Sequence, residues 1–185
     1  MPRVIAGKAG GIKLYTNQEE LMRPTTDRMK EAVFASLQND IQQGAIISFL
    51  DLFAGSGQMG IEALSRGVPN VVFIEQNRQA KITIQKNLEK TKLKAEILSL
   101  TADRAIRQLI KQEKDFDIIY FDPPWMSLNE NWQELEENIQ KLLSQNGKIL
   151  IEHSRKLALL INETKWRIDK EKKYGLSILT ILSRK

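Results

Sequence analysis

Asp122-Pro123-Pro124-Trp125 gathers reactive and recognition groups at the end of an apolar run, Ile118 to Phe121, that reads as a buried strand. Each proline lacks an N–H and fixes φ, so the loop is rigid and presents carbonyl oxygens. Asp122 adds a carboxylate acceptor and Trp125 a flat apolar face. Together they suit a planar ring with an exocyclic NH2: the aromatic stacks on the ring, and two acceptors hold the amine hydrogens. Such an amine is a weak nucleophile because its lone pair is delocalised into the ring. Acceptors on its hydrogens concentrate electron density on nitrogen and aim it at an electrophile. A methyl sulfonium fits, since the leaving thioether is neutral and no metal is needed. Alignment would then supply most of the acceleration, with about 7–11 kcal/mol available in favourable cases. The structural alternative is a strand ended by prolines with Trp125 in the core.

The partner for that chemistry lies in Asp51-Leu52-Phe53-Ala54-Gly55-Ser56-Gly57, with Gly60 three positions on. An apolar run ends in Asp51, glycines follow, and a helical pattern begins. This is a parallel strand, a tight turn and a helix N-terminus, with Gly67 as the C-cap. The glycine triplet alone is a weak signal. A second apolar run ends in Glu75, 24 positions after Asp51, where a carboxylate can accept from ribose hydroxyls. A dinucleotide is disfavoured, because Asp51 would sit where a pyrophosphate needs positive potential. The ammonium and sulfonium of S-adenosylmethionine suit it better. Asp103, after the third strand, is a candidate acceptor for the adenine amine, with a helix N-cap as the alternative. His153 reads as a core or surface residue.

These groups need a scaffold. Strands are predicted at 46–51, 71–75, 95–100, 116–121 and 147–152, and helices at 58–66, 78–91, 103–113, 131–145 and 154–163. Strict alternation implies a parallel sheet covered on both faces. Residues 165–172 and 176–183 form a hairpin pattern around Tyr174-Gly175, so the last strand should run antiparallel. The expected fold is therefore α/β and Rossmann-like: a mostly parallel seven-stranded sheet with an antiparallel C-terminal strand. Residues 1–24 are expected to be a short hairpin arm, with strands at 3–6 and 12–15 around a glycine-rich turn from Gly7 to Gly11, followed by a loop. Residues 25–185 are expected to be the catalytic core of a single domain. Pro24, Thr25, Thr26 and Asp27 should start a helix striped by Met29, Val33 and Leu37.

The chain has 185 residues, 42% of them hydrophobic, enough for one core. It has no cysteine and one histidine, which excludes disulfides, thiolate chemistry and multi-histidine metal sites. Without a signal-peptide or membrane-span pattern, a cytoplasmic location is expected. The net charge is +5 and uneven: residues 76–94 carry six basic and one acidic side chain, and residues 165–185 seven and two. Such clusters favour a polyanionic partner, or simply a solubilising surface.

In order and type these residues resemble class I S-adenosylmethionine-dependent methyltransferases. More narrowly, they resemble the RsmD family, which methylates the N2 amine of a guanine in small-subunit ribosomal RNA. The resemblance rests on Arg3-Val4-Ile5-Ala6-Gly7-Lys8, Arg23-Pro24-Thr25-Thr26-Asp27-Arg28, Asp51 to Gly57 and Asp122-Pro123-Pro124. It implies S-adenosylmethionine held by Asp51, Phe53, Ala54, Gly55, Ser56, Gly57, Glu75 and Asp103, and a target base held by Asp122, Pro123, Pro124 and Trp125. For RNA contacts the candidates are Arg3, Lys8, Arg23, Thr25, Thr26 and Arg28. A monomer acting on ribosomal RNA or a small-subunit particle, without metal or membrane, is expected. Trp125 stands where the family has Tyr or Phe, and Gly10 and Ile12 where its arm is more basic. Asp-Pro-Pro-Trp also resembles adenine N6 methyltransferases, and an RNA-binding assembly factor that no longer methylates is a third reading.

Overall fold

The strand–helix alternation becomes one seven-stranded sheet in the computed structural model, which describes residues 2–16 and 27–185 apart from the side chain of Trp125. In chain order the elements are α1 (Asp27–Gln42), β1 (Ser48–Asp51), α2 (Gln58–Arg66), β2 (Asn70–Ile74), α3 (Arg78–Thr91), β3 (Glu96–Leu98), α4 (Ala102–Lys111) and β4 (Phe116–Phe121). A 3-10 turn (Trp125–Ser127), α5 (Leu128–Leu142), β5 (Leu143–Ser154), β6 (Trp166–Tyr174) and β7 (Ser177–Arg184) follow. The strand order is β3-β2-β1-β4-β5-β7-β6. The first five are parallel, and β7 runs antiparallel to both neighbours. The chain winds outward on either side of the β1–β4 pair, so a topological switch point opens at the carboxyl ends of these two strands.

Alternate residues of the central strands serve opposite faces. Phe49, Ile118, Tyr120 and Leu150 join a core with α1, α2 and α3. Leu50, Ile119, Phe121, Ile149 and Ile151 join another with α4 and α5. There Trp132 meets Phe121 edge-on at 5.6 Å and Trp166 at 5.8 Å. In α2, Gly60 faces the sheet so closely that a Cβ would lie 2.2 Å from the Phe73 ring. That brings the helix against the strand that ends beside Glu75.

The structure departs from expectation in two places. Residues 155–165 are a turn and an irregular loop, not the predicted helix over 154–163. The apolar run Leu157 to Ile161 has no polar face to give a helix. Asn129 satisfies its backbone instead, accepting from Leu160 N at 3.1 Å and donating to Ala158 O at 3.0 Å. The predicted helix at 131–145 begins and ends three residues earlier, and β5 starts at Leu143 with a bulge opposite Phe116 and Ile118.

The N-terminal arm is the expected short hairpin, and it packs into the core. Arg3 and Lys13 form an antiparallel bridge, Val4 N donates to Ile12 O at 2.9 Å, Gly11 N to Val4 O at 2.8 Å and Leu14 N to Pro2 O at 2.8 Å. Val4, Ala9 and Leu14 are buried in the core of the α1–α3 face. The arm's backbone is satisfied by side chains from the catalytic core. Glu62, fully buried, accepts from Ile5 N at 2.7 Å and Ala6 N at 3.1 Å. Ser65 Oγ accepts from Ala9 N at 2.9 Å. Asn87 accepts from Tyr15 N at 2.8 Å and donates to Tyr15 O at 3.0 Å. Gly7, at φ +85°, presses on α2 where a Cβ would come within 1.9 Å of Ser65 O. Lys30, fully buried in α1, donates to Arg3 O at 2.6 Å and pairs with Asp27 at 3.4 Å. Burial holds its ammonium below its ordinary pKa despite the nearby charges of Asp27 and Glu62. An element of this kind is part of the core, because buried backbone groups must find partners.

Candidate active site

At the switch point the backbone leaves β1 through a tight turn in which Gly55 and Gly57 take φ of +55° and +81°. Gly57 precedes α2 and offers no side-chain cap. Asp51 does that work from the strand: its buried carboxylate accepts from Gly60 N at 3.0 Å, close to the positive end of α2. Glu75, at the end of β2, closes the loop from the other side. Its two oxygens accept from Gly55 N at 2.8 Å and Asn77 N at 2.7 Å. A carboxylate offers about four acceptor positions, so Glu75 can serve the loop and still receive hydroxyls.

Between these groups and the Asp122 loop lies a cavity of about 610 Å³, within the usual range for a small-molecule site. Asp51, Phe53, Ala54, Gly55, Ser56 and Glu75 line one part, and Asp122, Pro124 and Ser127 another. Ser127 donates through both N and Oγ to Pro124 O, at 3.0 and 3.1 Å, which folds the loop tightly after the prolines. β1 and β4 are direct neighbours, with Asp51 in register with Tyr120. The glycine loop and the Asp-Pro-Pro loop therefore meet, because their strands are neighbours.

Asp103 is not brought to this cavity. It is partly exposed on α4 and pairs with Arg107 Nε at 2.9 Å, while Leu100 and Ala102 line the cavity. Nor does it cap the helix: Thr101 occupies the N-cap and its side chain accepts from Arg104 N. At spacing i,i+4, Arg107 draws the carboxylate along the helix surface. His153 is buried, 2.9 Å from Thr180 Oγ1, in keeping with a core histidine. Gly57, the N-cap of α2, and Pro123 are buried and are not among the residues that line the cavity.

Of the RNA candidates, Arg3 is mostly exposed and pairs with Asp27 at 3.5 Å, joining the arm to α1. Lys8 and Arg28 are exposed. Arg23, Thr25, Thr26 and the side chain of Trp125 lie outside the described residues.

Sequence reasoning missed Tyr120 and Glu152. The Tyr120 hydroxyl donates to Glu152 Oε2 at 2.6 Å with both residues buried, and Tyr120 lines the cavity. Burial, with the charges of Glu152, Asp122 and Asp51, holds the phenol well above its ordinary pKa. Thus Asp51, Glu75, Asp122 and Glu152 cluster at the carboxyl ends of neighbouring strands in a protein of net charge +5. Such a site attracts a cation and repels a pyrophosphate. A polar residue alternating with apolar ones in β4 and β5 was the available signal, but its facing partner is invisible without the strand register.

Residues 2–183 match the family described as Conserved hypothetical protein 95. Ribosomal RNA small subunit methyltransferase D of Haemophilus influenzae is 34% identical over 177 residues, covering 94% of this chain and 89% of that protein. The chain belongs to this family, the RsmD family. The hypothetical protein TTHA0928 of Thermus thermophilus superposes with a TM-score of 0.85 at 27% identity, covering 98% of each chain. SMU.776, solved in complex with SAH, superposes at 0.65 and 13% identity over 81% of this chain and 49% of its own. At that identity the likeness speaks for the fold alone, which is that of the class I methyltransferases.

Proposed function

We propose that this RsmD-family chain uses S-adenosylmethionine to methylate the exocyclic N2 of a guanine in small-subunit ribosomal RNA. The observation that carries this reading is the meeting of the Glu75-tied glycine loop with the Asp122–Pro124 loop in one acidic cavity. The family relationship to ribosomal RNA methyltransferases supports it.

The residues present fit the cofactor. Glu75 would receive ribose hydroxyls, the glycine loop leaves room for backbone contact, and Leu100 and Ala102 offer an apolar wall for the adenine. The carboxylates of Asp51, Asp122 and Glu152 suit the cationic methionine part. Bound there, S-adenosylmethionine supplies an electrophilic methyl group. The chain's own residues do the rest. Asp122 Oδ and a proline carbonyl accept the two amine hydrogens and direct the nitrogen lone pair inward. Trp125 stacks on the base. As the N–C bond forms, nitrogen gives up one proton, and the Asp122 carboxylate is the acceptor placed to take it toward solvent. Tyr120, locked to Glu152 and kept protonated, contributes a fixed dipole rather than a base.

Residues 1–185 act as one catalytic unit, a monomer in the cytoplasm. The test is incubation with methyl-labelled cofactor and, separately, small-subunit RNA, small-subunit particles lacking the modification, and duplex DNA, followed by digestion to nucleosides. N2-methylguanosine from RNA or particle is the expected product. N6-methyladenine would reassign the enzyme to adenine, and RNA binding without incorporation would make it an assembly factor.

A further inference from the structure

Strand β6 is unusual for an element that completes a sheet. From Arg167 to Lys173 seven consecutive residues are exposed, and only Trp166 is buried. It is an edge strand, paired on one side only, with β7. Arg167 is committed to Asp169 at 2.7 Å. Among the described residues, no carboxylate pairs with Lys170, Lys172 or Lys173, and Glu171 is the acidic residue between them.

Lys170 and Lys172 flank a shallow crevice floored by Tyr174, Leu179 and Ile181, whose opposite wall is Ala32 and Ser36 of α1. Exposed Arg28 stands one helical turn before Ala32 on the same stripe. The strand register fixes where this surface lies. Phe121 pairs with Ile151, Ile151 with Thr180, and Thr180 with Glu171. Lys172 and Lys173 are thus level with the Asp122 loop, three strand spacings or roughly 14 Å to one side. They lie at the end of the sheet on which the cavity opens. Lysines on an edge strand can also serve only to block edge-to-edge association. That role needs no particular level along the strand and no crevice beside it.

We propose that Lys170, Lys172 and Lys173 bind the phosphate backbone of the RNA strand flanking the target nucleotide. Exposed Arg28 on α1 extends this basic surface. This rests on the reading of RNA as substrate.

The test compares the full chain with the triple variant Lys170→Gln/Lys172→Gln/Lys173→Gln. A control of equal net charge, Lys111→Gln/Lys114→Gln/Lys141→Gln, neutralises exposed lysines outside both basic clusters. Affinity for small-subunit RNA is measured against salt, S-adenosylmethionine affinity by calorimetry, and methylation at limiting and saturating RNA. Three lost phosphate contacts should lower the salt slope by about two. Methylation at limiting RNA should fall at least tenfold, with the saturating rate within about threefold and cofactor affinity unchanged. An unchanged slope, an equal loss in the control, or a variant that aggregates yet binds RNA normally would overturn the proposal. So would a defect seen with particles but not naked RNA, which would make the surface a protein contact. If the wild-type chain binds neither RNA nor particle, the substrate reading fails instead.

Discussion

Glu62 is the residue on which the union of arm and catalytic core turns, and its removal has a calculable cost. Its side chain is fully buried, as is nearly all of Arg66, whose Nε it holds at 2.7 Å. The same carboxylate accepts the N–H groups of Ile5 and Ala6. Glu62→Ala therefore strands a buried guanidinium and two backbone donors at once. Breaking a buried pair from one side costs about 3–5 kcal/mol, and an unsatisfied buried donor about 1–3 kcal/mol. These costs overlap, because the arm can lift and let water in. A loss of about 4 kcal/mol is expected, a large part of the roughly 5–15 kcal/mol that holds a domain folded. Glu62→Gln keeps an acceptor for the arm and should lose about half as much. Urea unfolding measures both, read as a shift of midpoint at constant slope. Amide exchange at Ile5 and Ala6 should accelerate in Glu62→Gln while that of the central strands is little changed. If Glu62→Ala stays within about 1 kcal/mol of wild type, the arm is not held as described.

Glu75→Ala should weaken S-adenosylmethionine by about 3 kcal/mol or more, since charged hydrogen bonds contribute about 1.5–3 kcal/mol each and the glycine loop loses its tie through Gly55 N; calorimetry reads this directly, and equal affinities would remove Glu75 from the site. Asp122→Ala should leave cofactor affinity within a few-fold while single-turnover methylation falls by orders of magnitude, and near-normal turnover would exclude the Asp122 carboxylate from the reaction. Trp125→Ala should weaken the target base by about 1–3 kcal/mol and Trp125→Phe should retain most activity; equal activity of the alanine variant would end the stacking argument. Burial alone would raise the Asp117 pKa, but hydrogen bonds from Ile47, Ser144 and Ser48 hold it below 3.8. Its stabilisation is therefore complete above pH 3.8 and is lost as the pH falls through the depressed folded value, so Asp117→Asn should flatten acid unfolding in that window.

The site was legible to different depths. Asp51, the glycine loop, Glu75 and Asp122 could be read because the chemistry sits at strand ends, and an apolar run followed by an acid marks a strand end in the sequence. Alternation then forced the loops to one side of the sheet. The placing of Asp103 was not legible, because a carboxylate one residue into a helix can turn inward, cap or pair along the surface, and here it pairs with Arg107. The Tyr120–Glu152 pair depended on β4 and β5 being in register, a long-range fact. The helix over 154–163 failed because Asn129, far away in sequence, satisfies that backbone without one. The arm's hairpin was legible from its glycines and short apolar spacing, but its burial was not. Its partners Glu62, Ser65 and Asn87 look like ordinary helix residues until they are found buried.

That packing has a consequence for synthesis on the ribosome. Val4, Ala9 and Leu14 emerge early, yet Glu62 follows Ile5 by 57 positions and Asn87 follows Tyr15 by 72. At about 5–20 residues per second, the earliest segment waits on the order of 3–14 seconds for the side chains that will receive it. During that interval its apolar residues are solvent-facing and its amides hydrogen-bond to water. Nascent chains halted before Asn87 clears the exit tunnel should remain cleavable near Tyr15, and longer ones should not. Translation order thus makes a segment made before its partners among the last to settle.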